Sequence, residues 1–203
     1  MILQLRDLYF QAEGYLLGGG MVIVPIVLIS IVMWTLIINR VLFFRRLYRK
    51  NMSRVEAGRC IMHGEFPDQK QYRGITSLLV RRFLTKKTGH LAVDKHILDE
   101  TVMHYVSSLD SYLAVIQVLA SIAPLLGLLG TVTGMITTFN IISGFGTGNA
   151  RAMAGGISEA LITTQSGLLV AIPGLYMSGF LKRRAEILKQ RLSSVGLYLL
   201  NYI

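Results

Sequence analysis

The chain has 203 residues, 52% hydrophobic and 16% charged, with a mean hydropathy of +0.52. Half the surface of a soluble domain must meet water, so such a domain has no use for the long uncharged runs found here. A net charge of +10 and a pI near 10.0 would suggest nucleic acid in a soluble protein, but 19 of the 21 Lys and Arg lie in 40–95 or 182–191. That asymmetry is the signature of cytoplasmic loops and argues for topology over nucleic-acid binding.

Residues 1–15 form a short tail, expected on the outer side, with Arg6, Asp7 and Glu13. No charge follows for 26 residues between Glu13 and Arg40. A span needs about 20 apolar residues, and the run is too long and its flanks too mixed in charge for a signal peptide. Span one is placed at 16–39, opening on Gly18-Gly19-Gly20, carrying Pro25, and with Trp34 toward its inner end. Apart from Ser30 and Thr35 it is mainly Ile, Val, Leu and Met, and reads as a lipid-facing helix. Arg40, Arg45, Arg46, Arg49 and Lys50 follow at once, which places 40–115 in the cytoplasm.

Within that segment Gly64-Glu65-Phe66-Pro67 reads as a turn. After Gly89, Leu98, Val102, Tyr105, Leu109, Tyr112 and Ile116 recur at spacings of three and four, one face of a helix. With no Gly or Pro between that face and the second span, a single helix is expected from 94 to 142, roughly 70 Å long. The 40 uncharged residues between Asp110 and Arg151 hold span two at 116–142 and an outer loop at 143–152. Gly144-x-Gly-x-Gly148 in that loop has no following Lys-Ser/Thr and reads as a turn, not a phosphate cradle. Span three, 153–181, ends at Lys182-Arg183-Arg184. The C-terminal 182–203 forms an amphipathic cytoplasmic helix through Ile187, Leu188, Leu192 and Val195. The expected fold is therefore a single-domain, all-α integral membrane protein. It has three transmembrane helices, two of them extended into the cytoplasm as a helical bundle.

The lone cysteine, Cys60, excludes an internal disulfide, and Cys60 with His63 is too few ligands for a metal site. No cofactor or metal is expected. An intramembrane hydrolase would need a nucleophile with a base, but all four His lie in the cytoplasmic segment and the spans hold one carboxylate, so an enzyme is not expected.

Spans two and three are rich in small and hydroxyl residues. Gly127, Gly130, Gly134, Gly167 and Ala171 have the spacing that lets helix backbones approach closely, and Pro124 and Pro173 mark helix kinks. Packing does not account for Glu159. A charge at mid-bilayer costs several kcal/mol and usually faces a bundle interior or a cavity. Glu159 lies 23 residues before Lys182, roughly 35 Å along a helix, so it could be solvated at the outer interface, or pair with Arg151. Alternatively Thr163, Ser166 and Val170 continue its face inward as one side of an ion path.

Ala123-Pro-Leu-Leu-Gly-Leu-Leu-Gly-Thr-Val132, followed by Ile157-Ser-Glu-Ala-Leu161, Thr164 and Gly167-Leu-Leu-Val-Ala-Ile-Pro173, resembles the paired signature of the MotA/TolQ/ExbB proton-channel family. The resemblance implies a bacterial inner-membrane motor subunit driven by the proton motive force, with its N-terminus periplasmic and its C-terminus cytoplasmic. It implies a homopentamer whose second and third helices line a pore. It further implies single-span partners of the ExbD/TolR type, each with a membrane aspartate, and a TonB/TolA-type protein beyond them. The family's pore threonine falls on Thr131, its glutamate on Glu159 and its second threonine on Thr164. Together with Thr163 and Ser166 these make up the expected ion pathway. Thr133 stands where an aromatic is usual, and Gln165-Ser166 replace residues more often apolar. Sodium-driven relatives exist, so the ion stays open. Three spans favour the ExbB/TolQ type over the four-span flagellar stator. ExbB, energising TonB-dependent uptake, is preferred to TolQ, which serves envelope integrity and cell division. One carboxylate cannot relay a proton across roughly 30 Å of hydrocarbon, so water in a pore or a second chain must complete the path.

Overall fold

The computed structural model describes residues 18–48, 51–68, 70–146 and 149–203. The expected tail at 1–15 and the first two residues of span one lie outside the described residues. Among those described, every regular element is helical: α1 (Ile23–Tyr48), α2 (Arg54–His63), α3 (Ile75–Lys86), α4 (Leu91–Asp110), α5 (Leu113–Phe145) and α6 (Ala150–Leu199), closed by a 3-10 turn at Leu200–Tyr202. Three stretches are long and apolar enough to cross a membrane: Ile23–Tyr48, Leu91–Phe145 and Ala150–Tyr202. The last two, of 55 and 53 residues, far exceed a bilayer's need. The chain is a multi-pass membrane protein of all-helical class. Among the described residues it divides into two compact units, one of 18–36 and 115–178, the other of 37–114 and 179–203.

The single helix expected from 94 to 142 is interrupted. α4 stops at Asp110, α5 starts at Leu113, and Tyr112 between them has φ 64°, the left-handed region that non-glycine residues seldom occupy. Ending a helix frees its last carbonyls, and Arg40 collects them. Its Nε donates to Ser111 O at 2.6 Å, and its Nη2 to Ser108 O at 2.8 Å and Leu109 O at 3.4 Å. The guanidinium lies over the Phe43 ring, 4.8 Å from its centroid, and is 5.7 Å from that of Tyr112. Lys189 Nζ adds an ion pair to Asp110 Oδ1 at 2.7 Å. Cations at a helix C-terminus also oppose its negative dipole end. No local breaker announces the stop, and the side chain that takes up its freed carbonyls lies 71 residues away from Ser111.

The rest of this unit is built as a water-soluble helical cluster would be. Ile61, Ile75, Leu79, Phe83, Leu98 and Leu188 are fully buried. A capping box starts α2: Ser53 Oγ accepts from Glu56 N at 3.2 Å while Glu56 Oε2 accepts from Ser53 N at 3.1 Å. The Ser53 backbone N–H first, and then the Ser53 and Tyr72 hydroxyls, donate to the Glu56 carboxyl and hold it below its ordinary pKa. α2 ends at Gly64 with φ 69°, where the expected turn begins. Buried Asp94 organises the entry to α4, accepting from Thr88 N at 2.7 Å, Thr88 Oγ1 at 2.9 Å and Gly89 N at 3.0 Å. The Thr88 backbone bond leads the causes that lower its pKa.

The outer loop is shorter than the expected 143–152. α5 runs to Phe145 and α6 begins at Ala150, where Asn149 caps it by accepting from Ala152 N at 3.1 Å through Oδ1. Pro124 and Pro173 both sit inside helices that continue past them.

Candidate functional site

The site is built on the contact of α5 with α6 in the first unit. On α5 the buried positions are Ile116, Ala120, Ala123, Gly127, Gly130, Gly134 and Thr138, and on α6 Gly156, Ala160, Thr163, Gly167, Ala171, Gly174 and Ser178. Both series step by three and four, so each is one stripe of its helix. Residues this small bring backbone onto backbone. A Cβ added at Gly167 would stand 2.7 Å from Ala123 O and 3.1 Å from Gly127 Cα, and one at Gly134 2.7 Å from Gly156 O. The five residues picked for packing, Gly127, Gly130, Gly134, Gly167 and Ala171, all lie in this seam.

The hydroxyls fall into two sets. Thr164 Oγ1 donates across the seam to Gly127 O at 3.0 Å, a bond that the glycine makes possible by exposing its carbonyl to the neighbouring helix. Thr131 is half-buried on α5 and donates to its own helix at Leu128 O, 2.6 Å. Ser166, also half-buried, donates to Ile162 O at 2.8 Å. Thr163 differs from its expected place on a free polar face. It is 1% exposed, donates to Ala160 O at 2.9 Å, and fills the space over Gly130, whose added Cβ would lie 2.9 Å from Thr163 Cγ2. The seam uses it for packing, because positions 163 and 167 belong to the α6 stripe that faces α5.

Glu159 is half-buried. Among the described residues its carboxylate has neither a hydrogen-bond nor an ion-pair partner, and no pairing with Arg151 forms. Its neighbour is instead the glycine turn that opens the first span. Gly20 has φ 61°, and a Cβ there would stand 2.6 Å from Glu159 Cδ and closer still to Oε1. Gly18 and Gly19 rest on Ile162, one turn further along α6. The triplet stands out in the sequence, but nothing there says what it touches. Further from the seam, burial first and then Glu65 and Glu56 push the Cys60 thiol above its ordinary pKa, away from thiolate chemistry.

Known proteins with this pattern agree. The pattern of the MotA/TolQ/ExbB proton channel family matches residues 71–194, which takes in α4, α5 and most of α6. A Synechocystis sp. protein named ExbB-like 3 is 30% identical over 86% of this chain and 89% of its own length. Another from the same organism, named ExbB-like 1, is 32% identical over 77% of this chain, which spans 65% of that relative. Biopolymer transport protein ExbB of Aquifex aeolicus is 43% identical over 74 residues, 36% of this chain and half of the relative. The family is one of channel and transport subunits, not of enzymes. With its two long apolar helices meeting at a glycine and threonine seam, the chain belongs to the MotA/TolQ/ExbB proton channel family, as a subunit of the ExbB/TolQ type.

Proposed function

We propose that the chain is the pore-forming subunit of an inner-membrane motor that uses the proton motive force to energise TonB-dependent transport. It works as a homopentamer around ExbD/TolR-type single-span partners, each bringing a membrane aspartate, with a TonB/TolA-type protein as the recipient of the work. The N-terminus lies in the periplasm, and the cytoplasm holds residues 40–115 and 182–203. The observation that carries this reading is Glu159, a carboxylate without a partner among the described residues on a helix apolar enough to span a membrane. Supporting it, Thr131 and Thr164 flank the seam with hydroxyls that the packing leaves half-buried. The ion pathway on this chain is Thr131, Glu159, Thr164 and Ser166, without Thr163. Thr131 and Thr164 orient water and the partner's acid, while Glu159 tunes the local field. The proton carrier itself is on the partner. One charge moving down 100 mV releases about 2.3 kcal/mol, so each mechanical step draws on several transfers.

Glu159→Ala and Thr131→Ala each abolish energised uptake in a host lacking its own such subunit, with a single-span partner co-expressed, while membrane insertion and assembly stay intact. Full uptake in both variants would sink the pore assignment. Co-purification with a short single-span protein carrying a membrane aspartate tests the partner.

A further inference from the structure

Three glycines in a row at the start of a span are costly to hold in place, since glycine loses more backbone freedom on folding than any other residue. Here each one faces α6 within the first unit. Gly18 lies against Ile162, Gly19 against Ile23 and then Ile162, and Gly20 against Glu159. At Gly20 two independent features exclude a side chain. Its φ of 61° is left-handed, and the space a Cβ would take is occupied by the Glu159 carboxyl group. Gly64 separates the two effects, because its φ of 69° is as strained but nothing lies within 4 Å of an added Cβ.

We propose that Gly20 is a positioning residue for Glu159. By offering only a Cα hydrogen, the turn lets the carboxylate lie against its backbone and fixes which way the acid leaves α6. A methyl group at position 20 meets the carboxyl carbon at 2.6 Å but Glu159 Cγ at 3.2 Å. The extended glutamate must then swing away, whereas an alanine at 159 has nothing to move. This proposal rests on the functional reading above for its consequence in transport, but not for the geometry itself.

The test is labelling of the full chain in vesicles by dicyclohexylcarbodiimide, an apolar reagent for membrane carboxyls, read at residue 159 by mass spectrometry. Gly20→Ala changes the labelling rate roughly tenfold, a barrier change of about 1.4 kcal/mol. Gly64→Ala labels like the wild type. The proposal fails if Gly20→Ala labels like the wild type, or if Gly64→Ala shifts the rate equally. Should Gly20→Ala not assemble, its combination with Glu159→Ala assembles if the carboxylate contact is the cause, and failure of that pair overturns the idea. A labelling pattern as expected alongside full uptake by Glu159→Ala keeps the positioning role and removes the pore assignment instead.

Discussion

The core of the second unit and the α5–α6 seam of the first are held together by opposite kinds of residue. In 37–114 with 179–203 the buried positions are large, with Phe83, Ile61, Leu98 and Leu188 at their centre, and the helix ends are closed by Ser53, Asp94 and Arg40. Along the α5–α6 seam the buried stripe is glycine, alanine and threonine apart from Ile116 and Ser178. Large side chains such as Leu125 and Leu169 are 63% and 68% exposed, while α1 in the same unit buries Ile26 and Met33. Water rewards burying a large apolar side chain by about 1.5–3 kcal/mol. Lipid gives no such reward, so helices there associate through close backbone packing and hydroxyl bonds. The same chain therefore reads two solvents in its choice of side-chain size.

Opposite substitutions break that contrast in opposite places. Phe83→Ala removes a fully buried ring and costs about 3–5 kcal/mol. Hydrogen exchange read by mass spectrometry shows the loss of protection in α3 and α4. Gly167→Leu, which enlarges rather than shrinks, overpacks the seam by about 1–3 kcal/mol and loosens α5 from α6 in the same measurement. If enlarging the seam is tolerated and the wild-type protection persists there, backbone proximity is not what holds the spans.

Arg40→Gln sharpens the comparison at the break between α4 and α5. It withdraws charge-assisted bonds from the Ser108 and Ser111 carbonyls, at a cost of about 1.5–3 kcal/mol, and exchange rises first around 105–115. Smallest is a pH effect confined to the second unit. The folded pKa of Asp94 lies below its ordinary value, so its bonds to Thr88 and Gly89 add stability above about pH 3.9, the unfolded pKa. That stability is lost as pH falls through the lowered folded value. Asp94→Asn flattens this acid limb in a thermal-melt series, and an unchanged limb would remove Asp94 as its cause.

Much of the fold was legible because lipid imposes a coarse rule. Uncharged runs marked the long helices, and glycines at spacings of three and four marked the seam. The turn at Gly64 and the helix after Gly89 were equally plain, since glycine at positive φ is a local event. What escaped was non-local. The carbonyls freed at the stop before Tyr112 are taken up by Arg40, which in sequence looks like one more positive charge after a span. Thr163 shared its spacing with the Glu159 face, and periodicity alone does not say whether a stripe meets another helix or an open space. The capping box at Ser53 and Glu56 was readable from its pattern but lay outside the apolar segments that carried the reading.

The hydrogen bonds of Thr131 and Thr164 have a polarity. Each hydroxyl spends its one proton on a backbone carbonyl, Leu128 O and Gly127 O. What each then offers outward is a lone pair and nothing else. Water, or an acid that still carries its proton, can donate to such an oxygen, whereas a bare carboxylate finds no donor there. Under the proposed function, these two oxygens accept from a partner's neutral acid and offer no donor to its carboxylate, without themselves giving up or taking a proton.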